Sequence, residues 1–275
     1  MPKNAKVAAI QMASGPSVDS NLLEASQLIA EAVRADADIV VLPENFAFMC
    51  AEHKELLSCR EPAGDGPIQS FLSEQARRHG IWLVGGTIPL AADDPAKVRA
   101  ACLIYDGTGL CVSRYDKMHL FDVHLVDSGE RYTESLTIEQ GDKVVVIETP
   151  WGRLGVSVGY DLRFPELFRS MLQQGVELLV VPAQFTIVTG KAHWETLLRA
   201  RAIENLCYVV AAAQGGFHLG GCKTHGDSMI VDPWGVVLER LPRGSGFVLT
   251  EVERERLEGI RRNFPTIEHR RLSCG

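Results

Sequence analysis

Four times along the chain an amphipathic stretch of helical period runs, after a short break, into an apolar run too short to be a second helix. The first helix is predicted over 21–34, with Leu22, Leu23, Ile29, Ala30 and Val33 on one stripe, and leads to a strand over 38–42 closed by Pro43. A helix over 68–78 leads to a strand over 81–86, one over 165–174 to a strand over 177–182, and one over 192–205 to a strand over 207–213. Continuous apolar strands following helices are what a sheet covered on both faces requires. Hairpins are interleaved with these units. They turn at Asp106-Gly107-Thr108-Gly109, at Pro150-Trp151-Gly152 and at Asp232-Pro233-Trp234-Gly235. The first apolar stretch, KVAAIQM, reads as a further strand. One α/β domain over 1–275 with mixed sheets is therefore expected, without linker or repeat, with exposed loops at 91–97 and 219–225.

Composition narrows the function classes. A chain of 275 residues, 46% hydrophobic and 23% charged, can bury a sizeable core. A net charge of −7 argues against nucleic acid as a partner. No uncharged apolar run approaches the roughly 20 residues that cross a membrane. The opening residues pass straight into a strand pattern with no signal peptide. The cysteines at 50, 59, 102, 111, 207, 222 and 274 form no CxxC pair, so reduced thiols and a cytoplasmic location are expected. The dispersed histidines show no HxxxH or HExxH spacing, and the glycine pairs lack a phosphate-loop context. No metal and no organic cofactor is expected.

The chemistry is sought where strands end, because ligands bind there in α/β sheets. Glu44 follows the apolar run VVLP, and a partly desolvated carboxylate at that edge suits a general base. Lys117 closes LCVSRYDK, where an ammonium could stabilise charge developing on oxygen. Glu134 lies in RYTESLT. Alone, each has a commoner reading: a loop glutamate or cap, a solvated lysine, a solvated glutamate. The segment VSVGYDLRFPELFR is the most telling. Residues 153–158 read as a strand, 160–164 as a turn, and 165–172 as a helix entered through proline. Such a junction presents a nucleophile in many enzymes, yet Gly159 stands there, with no side chain. Ser157, two residues back along the strand, is too distant to substitute for it. Arg163 suits bidentate binding of a carboxylate, and equally an ion pair with Asp161 or Glu166. His193 could line a pocket or pack on Trp194. Arg199, Arg201 and Glu204 read as a solvated helix face or a contact with a partner subunit.

In order and wording, LPENFAFM, YDKMHLFDV and GYDLRFPELFR resemble the glutamate, lysine and cysteine motifs of the carbon–nitrogen hydrolase (nitrilase) superfamily. The resemblance spans about 7–271. PAQFTIVTGKAHWETLLRARAIENLCYVVAAAQ and SMIVDPWG are similar to the amidase branch that includes deaminated-glutathione amidase, with the ω-amidase branch the nearest competitor. The resemblance implies a four-layer α-β-β-α sandwich that usually dimerises through helices and uses no cofactor. It implies Glu44 as general base, Lys117 and the backbone N–H of Tyr160 as oxyanion donors, and Glu134 as a second carboxylate beside them. Arg163 and Thr189 fall where the family binds an α-keto acid end, and Phe185 and His193 are expected to line the same pocket. The nucleophile position falls on Gly159. Gln184 and Asp227 also depart from the family pattern, at a usually small residue and a usual histidine.

Two functions follow. One is an amidase scaffold for the terminal amide of a small α-keto acid derivative, inactive for want of its thiol. The other is a non-catalytic binder of small acids, or an interaction protein, on the same fold. Either way Glu44, Lys117, Glu134 and Gly159 are expected to converge on one pocket.

Overall fold

Alternate residues of the central strands point into different cores. In β1 (Ala5–Gln11), Val7 and Ala9 join one apolar cluster while Ala8 and Ile10 join another. The same alternation divides Leu178 and Val180 from Leu179 and Val181 on a strand of the other sheet. A strand buried on both faces needs an unbroken apolar run, which is why these segments lack a polar face. The computed structural model describes residues 4–49, 53–125, 129–218 and 223–272.

The first sheet contains β1, β2 (Ile39–Val41), β3 (Trp82–Val84), β4 (Ile88–Ala91), β5 (Val98–Tyr105), β6 (Cys111–Asp116) and the last strand, β17 (Gly246–Val252). Its order is β17-β1-β2-β3-β5-β4, with β6 also paired to β5. The three strands β1, β2 and β3 are parallel, and β17 runs antiparallel to β1. The second sheet has the order β16-β15-β12-β11-β10-β9. It is built from β9 (Val146–Thr149), β10 (Gly152–Val156), β11 (Leu178–Ala183), β12 (Tyr208–Ala213), β15 (Ser228–Val231) and β16 (Val237–Leu241), with β10, β11 and β12 parallel. Two small hairpins, β7 (Asp122–Leu125) with β8 (Glu130–Thr133) and β13 (Gly215–Phe217) with β14 (Lys223–His225), stand apart from both sheets.

The layers are read from the clusters. Helices α1 (Val18–Arg34) and α2 (Pro67–His79) set Ile29 and Leu72 against Ala8 and Val40 on the outer face of the first sheet. Helices α3 (Pro165–Gln173) and α4 (Ile187–Asn205) set Phe168 and Leu198 against Val181 and Val209 on the outer face of the second. Between the sheets, Val7, Ile39 and Val41 meet Val156, Val180 and Val210. Each such side chain contributes about 1.5–3 kcal/mol when fully buried. The result is the expected α-β-β-α sandwich. A last helix, α5 (Arg254–Asn263), anchors Leu257 in the inner core. At one end the sheets are stitched together where Ser14 N donates to Gln214 Oε1 at 3.0 Å.

Three expectations need correction. Helix α4 begins at Ile187, not at 192, because Thr186 Oγ1 accepts from Thr189 N at 3.2 Å and caps it. The β-branched and glycine-bearing stretch IVTG hides that turn from a propensity reading. Of the 219–225 loop, residues 219–222 lie outside the described residues, while Lys223–His225 form strand β14 with Thr224 buried. Arg201 is not on a solvated face: it is buried and donates to Leu162 O at 2.8 and 3.1 Å. Cys59, Cys102, Cys111 and Cys207 are free thiols, while Cys50, Cys222 and Cys274 lie outside the described residues. Among the described residues no helix is long and apolar enough to cross a membrane.

Candidate active site

Proline ends β2 and delivers the first carboxylate. Pro43 has no N–H to extend a ladder, and Glu44 follows it with its side chain turned inward, 4% exposed. Gly86 makes room for this turn, since a Cβ there would collide with Pro43 O, and its φ is +57°. Lys117 follows the end of β6, its N–H bonded to Ala100 O at 3.0 Å. Glu134 opens a short 3-10 turn after β8. Lys117 Nζ lies 2.8 Å from Glu44 Oε1 and 2.7 and 2.9 Å from the two oxygens of Glu134. Backbone donors complete the carboxylates: Gln184 N reaches Glu44 Oε2 at 2.8 Å, and Phe121 N reaches Glu134 Oε2 at 2.6 Å. All three side chains are buried, so the solvated readings of Lys117 and Glu134 do not hold.

Two carboxylates share one ammonium. Burial raises the Glu44 pKa, Lys117 opposes the rise and Glu134 adds to it, leaving Glu44 at about 6. Burial by itself would lower the Lys117 pKa, but Glu134 and Glu44 outweigh it, so the lysine stays firmly protonated.

Gly159 stands on the facing wall, after β10, at the start of a 3-10 turn over Gly159–Arg163. Its φ is +34°, and a Cβ on it would run into Glu44 Oε2, with Glu44 Cδ 3.3 Å away. Asp161 locks this turn from inside. Its carboxylate accepts from Val158 N at 2.8 Å, from the Tyr115 hydroxyl at 2.7 Å and from His119 N at 3.0 Å. Arg201 holds the next carbonyl from α4. Ser157 is buried and bonded to Val180 O at 3.2 Å, so its hydroxyl is not aimed at the pocket.

Glu44, Lys117 and Glu134 line one pocket of about 600 Å³, counting its open mouth, together with Phe121, Tyr132, Tyr160, Arg163, Phe185 and Thr189, while Gly159, packed against Glu44 Oε2, is not among the lining residues. The aromatic rings form one wall, with Phe121 4.9 Å from Tyr132 and 5.0 Å from Tyr160 between centroids. Arg163 forms no ion pair with Asp161 or Glu166, the structural alternative weighed for it. Its guanidinium lies 5.3 Å from the Phe185 ring and 5.7 Å from the Tyr160 ring, and Nη1 is 3.1 Å from His193 Nδ1. His193 itself is exposed, in the first half of α4 rather than at its start, and is not among the lining residues. Its contact with the pocket is through Arg163. Among the described residues no group of three or more His, Cys, Asp or Glu side chains is arranged to hold a metal ion.

The geometry brings a buried carboxylate of raised pKa and a protonated lysine together at strand ends, beside a strand-to-helix turn. The carbon–nitrogen hydrolase family model matches residues 6–262. The chain belongs to that family. It is 42% identical over 271 residues to the deaminated glutathione amidase of Yersinia enterocolitica, covering 98% of this chain and 94% of that protein. It is 38% identical over 268 residues to the human protein of that name, covering 96% and 82%. The solved structure of the C. elegans NitFhit protein superimposes with a TM-score of 0.90 at 36% identity, over 98% of this chain and 66% of that longer one. Saccharomyces cerevisiae Nit3, a member of branch 10 of the nitrilase superfamily, gives 0.89 at 30% identity over 98% and 97%. These relatives support amidase chemistry for this carbon–nitrogen hydrolase and a small-molecule amide as its substrate.

Several contributors to the site carried no sequence signal of their own. Lys223 and Thr224 reach the pocket from β14, tied to its wall by His225 N donating to Phe185 O at 2.9 Å. Gln184, flagged as a departure, supplies the backbone donor to Glu44, and its side chain accepts from Asn45 Nδ2 at 2.7 Å. Asp227, the other departure, is paired with Arg240, away from the pocket lining.

Proposed function

We propose that this chain binds a small α-keto acid amide of the deaminated-glutathione kind in an amidase site that lacks its attacking atom. The observation that carries the reading is Lys117 clamped between Glu44 and Glu134 in one pocket, with Glu44 Oε2 packed against Gly159. In this reading Glu44 is the general base. Lys117 and the Tyr160 N–H hold the carbonyl oxygen, and Glu134 fixes Lys117. Arg163 takes the substrate carboxylate, with Thr189 and Phe185 beside it and His193 steadying the guanidinium. Gly159 occupies the nucleophile position, so the thioester route is closed and amide turnover falls by a factor on the order of 10⁴–10⁶. We also infer a homodimer, supported by the family resemblance and tested by light scattering, and a cytoplasmic location, supported by the dispersed cysteines and tested by cell fractionation.

The experiment is Gly159→Cys. A non-glycine residue at φ +34° costs roughly 1–2 kcal/mol, and Glu44 Oε2 must shift to admit the new Cβ. The variant should release ammonia from the α-keto amide while the chain with Gly159 releases a trace. Adding Glu44→Gln should silence it again. Ammonia release favouring a shorter ω-amide over deaminated glutathione would move the specificity to the ω-amidase kind. A Gly159→Cys variant that folds, binds the amide and releases no ammonia would favour the second reading, a non-catalytic small-acid binder. That reading draws on one feature: Glu44 Oε2 already has a backbone partner in Gln184 and rests against Gly159, a site closed without a thiol.

A further inference from the structure

The charged side chains that line the pocket are of two kinds. Glu44, Glu134 and Lys117 are matched to one another at 2.7–2.9 Å. Arg163 and Lys223 are not matched: among the described residues neither has a carboxylate within ion-pair distance. Three cations against two carboxylates leave the lining positive, in a chain whose net charge is −7. A cleft lined by one sign of charge concentrates ligands of the other. One unmatched cation suits one substrate carboxylate. Two at a single pocket suit a substrate with two.

Lys223 is exposed, yet its place is set. It lies on β14, which is tied down beside it: His225 N donates to Phe185 O at 2.9 Å, and the Thr224 hydroxyl is 2.7 Å from His218 Nε2. Nζ stands 5.2 Å from the centre of the Phe217 ring, on the paired strand β13. A ring face attracts an ammonium while its N–H donors stay open to an anion. Arg163 comes from another element, the turn after β10, and its guanidinium lies 5.3 Å from the ring of the same Phe185 whose carbonyl holds β14. The two cations thus reach the pocket from separate elements that meet at Phe185.

In the reading above, the carbonyl oxygen lies with Lys117 and the Tyr160 N–H, and Arg163 takes the carboxylate of the acyl chain. The remaining substituent of the acyl carbon is the amide nitrogen, and Lys223 is the cation left for what that nitrogen carries. Resting on that reading, we propose that Lys223 is a specificity-determining residue that receives a second carboxylate on the amine side of the amide, so that this chain selects half-amides of a dicarboxylic acid with an amino acid over singly charged amides.

The test uses the full chain with N-glutarylglycine, which has a carboxylate at each end, and N-glutarylglycinamide, which has nearly the same shape and one charge fewer. Calorimetry should show the first binding about three- to tenfold more tightly, the scale of a partly exposed ion pair. The preference should shrink as salt is raised. Lys223→Gln should erase the preference and leave the affinity for N-glutarylglycinamide unchanged, and Lys223→Arg should keep it. Arg163→Ala should weaken both ligands alike. Equal binding of the two ligands by the unaltered chain overturns the inference and leaves the amide-binding reading intact. A preference that survives Lys223→Gln overturns it as well, since the second charge is then read elsewhere. So does a Lys223→Gln variant that loses affinity for both ligands by the same factor, because the lysine then reads the first carboxylate. Failure of both ligands to bind the unaltered chain removes this inference together with the reading on which it rests.

Discussion

The first sheet supplies the pocket with Glu44 and Lys117, 4% and 3% exposed, every charged atom paired. The second supplies Arg163, a half-buried cation on the pocket lining, from the turn that begins at Gly159, which has no side chain. The two walls also differ in what holds them. The first is held by its own charges, which need one another because an ion out of water costs several kcal/mol unless it is paired. The second is held by groups behind it: Asp161 gathers Val158 N, Tyr115 and His119, and Arg201 grips the Leu162 carbonyl. The turn is braced from behind by groups that do not depend on the side chain at 159, whereas the Glu-Lys-Glu cluster does not survive loss of a member unchanged.

The largest effect should come from breaking the charged wall. Lys117→Met leaves Glu44 and Glu134 buried without their cation, and unfolding by denaturant should show a loss of about 3–5 kcal/mol. A loss under about 1 kcal/mol would mean that water already reaches the cluster, and the contrast between the walls would fail. Arg163→Ala should behave oppositely. No ion pair to Arg163 is formed among the described residues, so stability should change by about 0.5 kcal/mol or less. Binding of the α-keto amide should weaken by roughly 1.5–3 kcal/mol, read by calorimetry. Unchanged affinity would remove Arg163 from the site.

The charged wall also has a pH signature. The Glu44 pKa is raised from 4.5 to about 6 on folding, so the folded chain holds that proton more tightly than the unfolded one. The stability this group contributes is present below pH 4.5 and declines as pH rises to about 6. The decline amounts to about 2 kcal/mol. Comparing unfolding free energies of the chain and Glu44→Gln from pH 4 to 8 isolates it: the difference should drift by that amount across the window and stay flat above it. A flat difference throughout would mean that Lys117 fully compensates the burial.

How much of this was legible depended on where the signal lies. The layers were readable because strands covered on both faces must be continuously apolar, and runs such as 178–183 and 208–213 show nothing else. The start of α4 was not, because its N-terminal turn depends on a Thr186 cap and the close approach of Gly190 to His225, not on helix-forming residues. Glu44, Lys117 and Glu134 each resemble ordinary loop residues in isolation. Only the order of the motifs raised them, and only the fold shows them 2.7–2.9 Å apart. Asp161 was read as a possible partner for Arg163. Its true partners sit on β6 and beyond it, more than 40 residues back, where no periodicity links them. Lys223 and Thr224 escaped for the same reason, brought to the pocket by a hairpin that pairs outside both sheets.

The smallest effect concerns what steadies Arg163. Arginine has only donors, so His193 Nδ1 accepts in the 3.1 Å contact with Nη1. The two rings of Tyr160 and Phe185 limit the guanidinium on other sides. His193→Ala removes one constraint and keeps the charge. Ordering a long side chain on binding costs about 0.5–1.5 kcal/mol, so the α-keto amide should bind about two- to tenfold more weakly, less than the loss in Arg163→Ala. His193→Asn, which restores an acceptor of similar reach, should recover most of it. A His193→Ala loss equal to or larger than that of Arg163→Ala, without rescue by asparagine, would place the imidazole on the substrate itself and make His193 part of the second wall rather than its support.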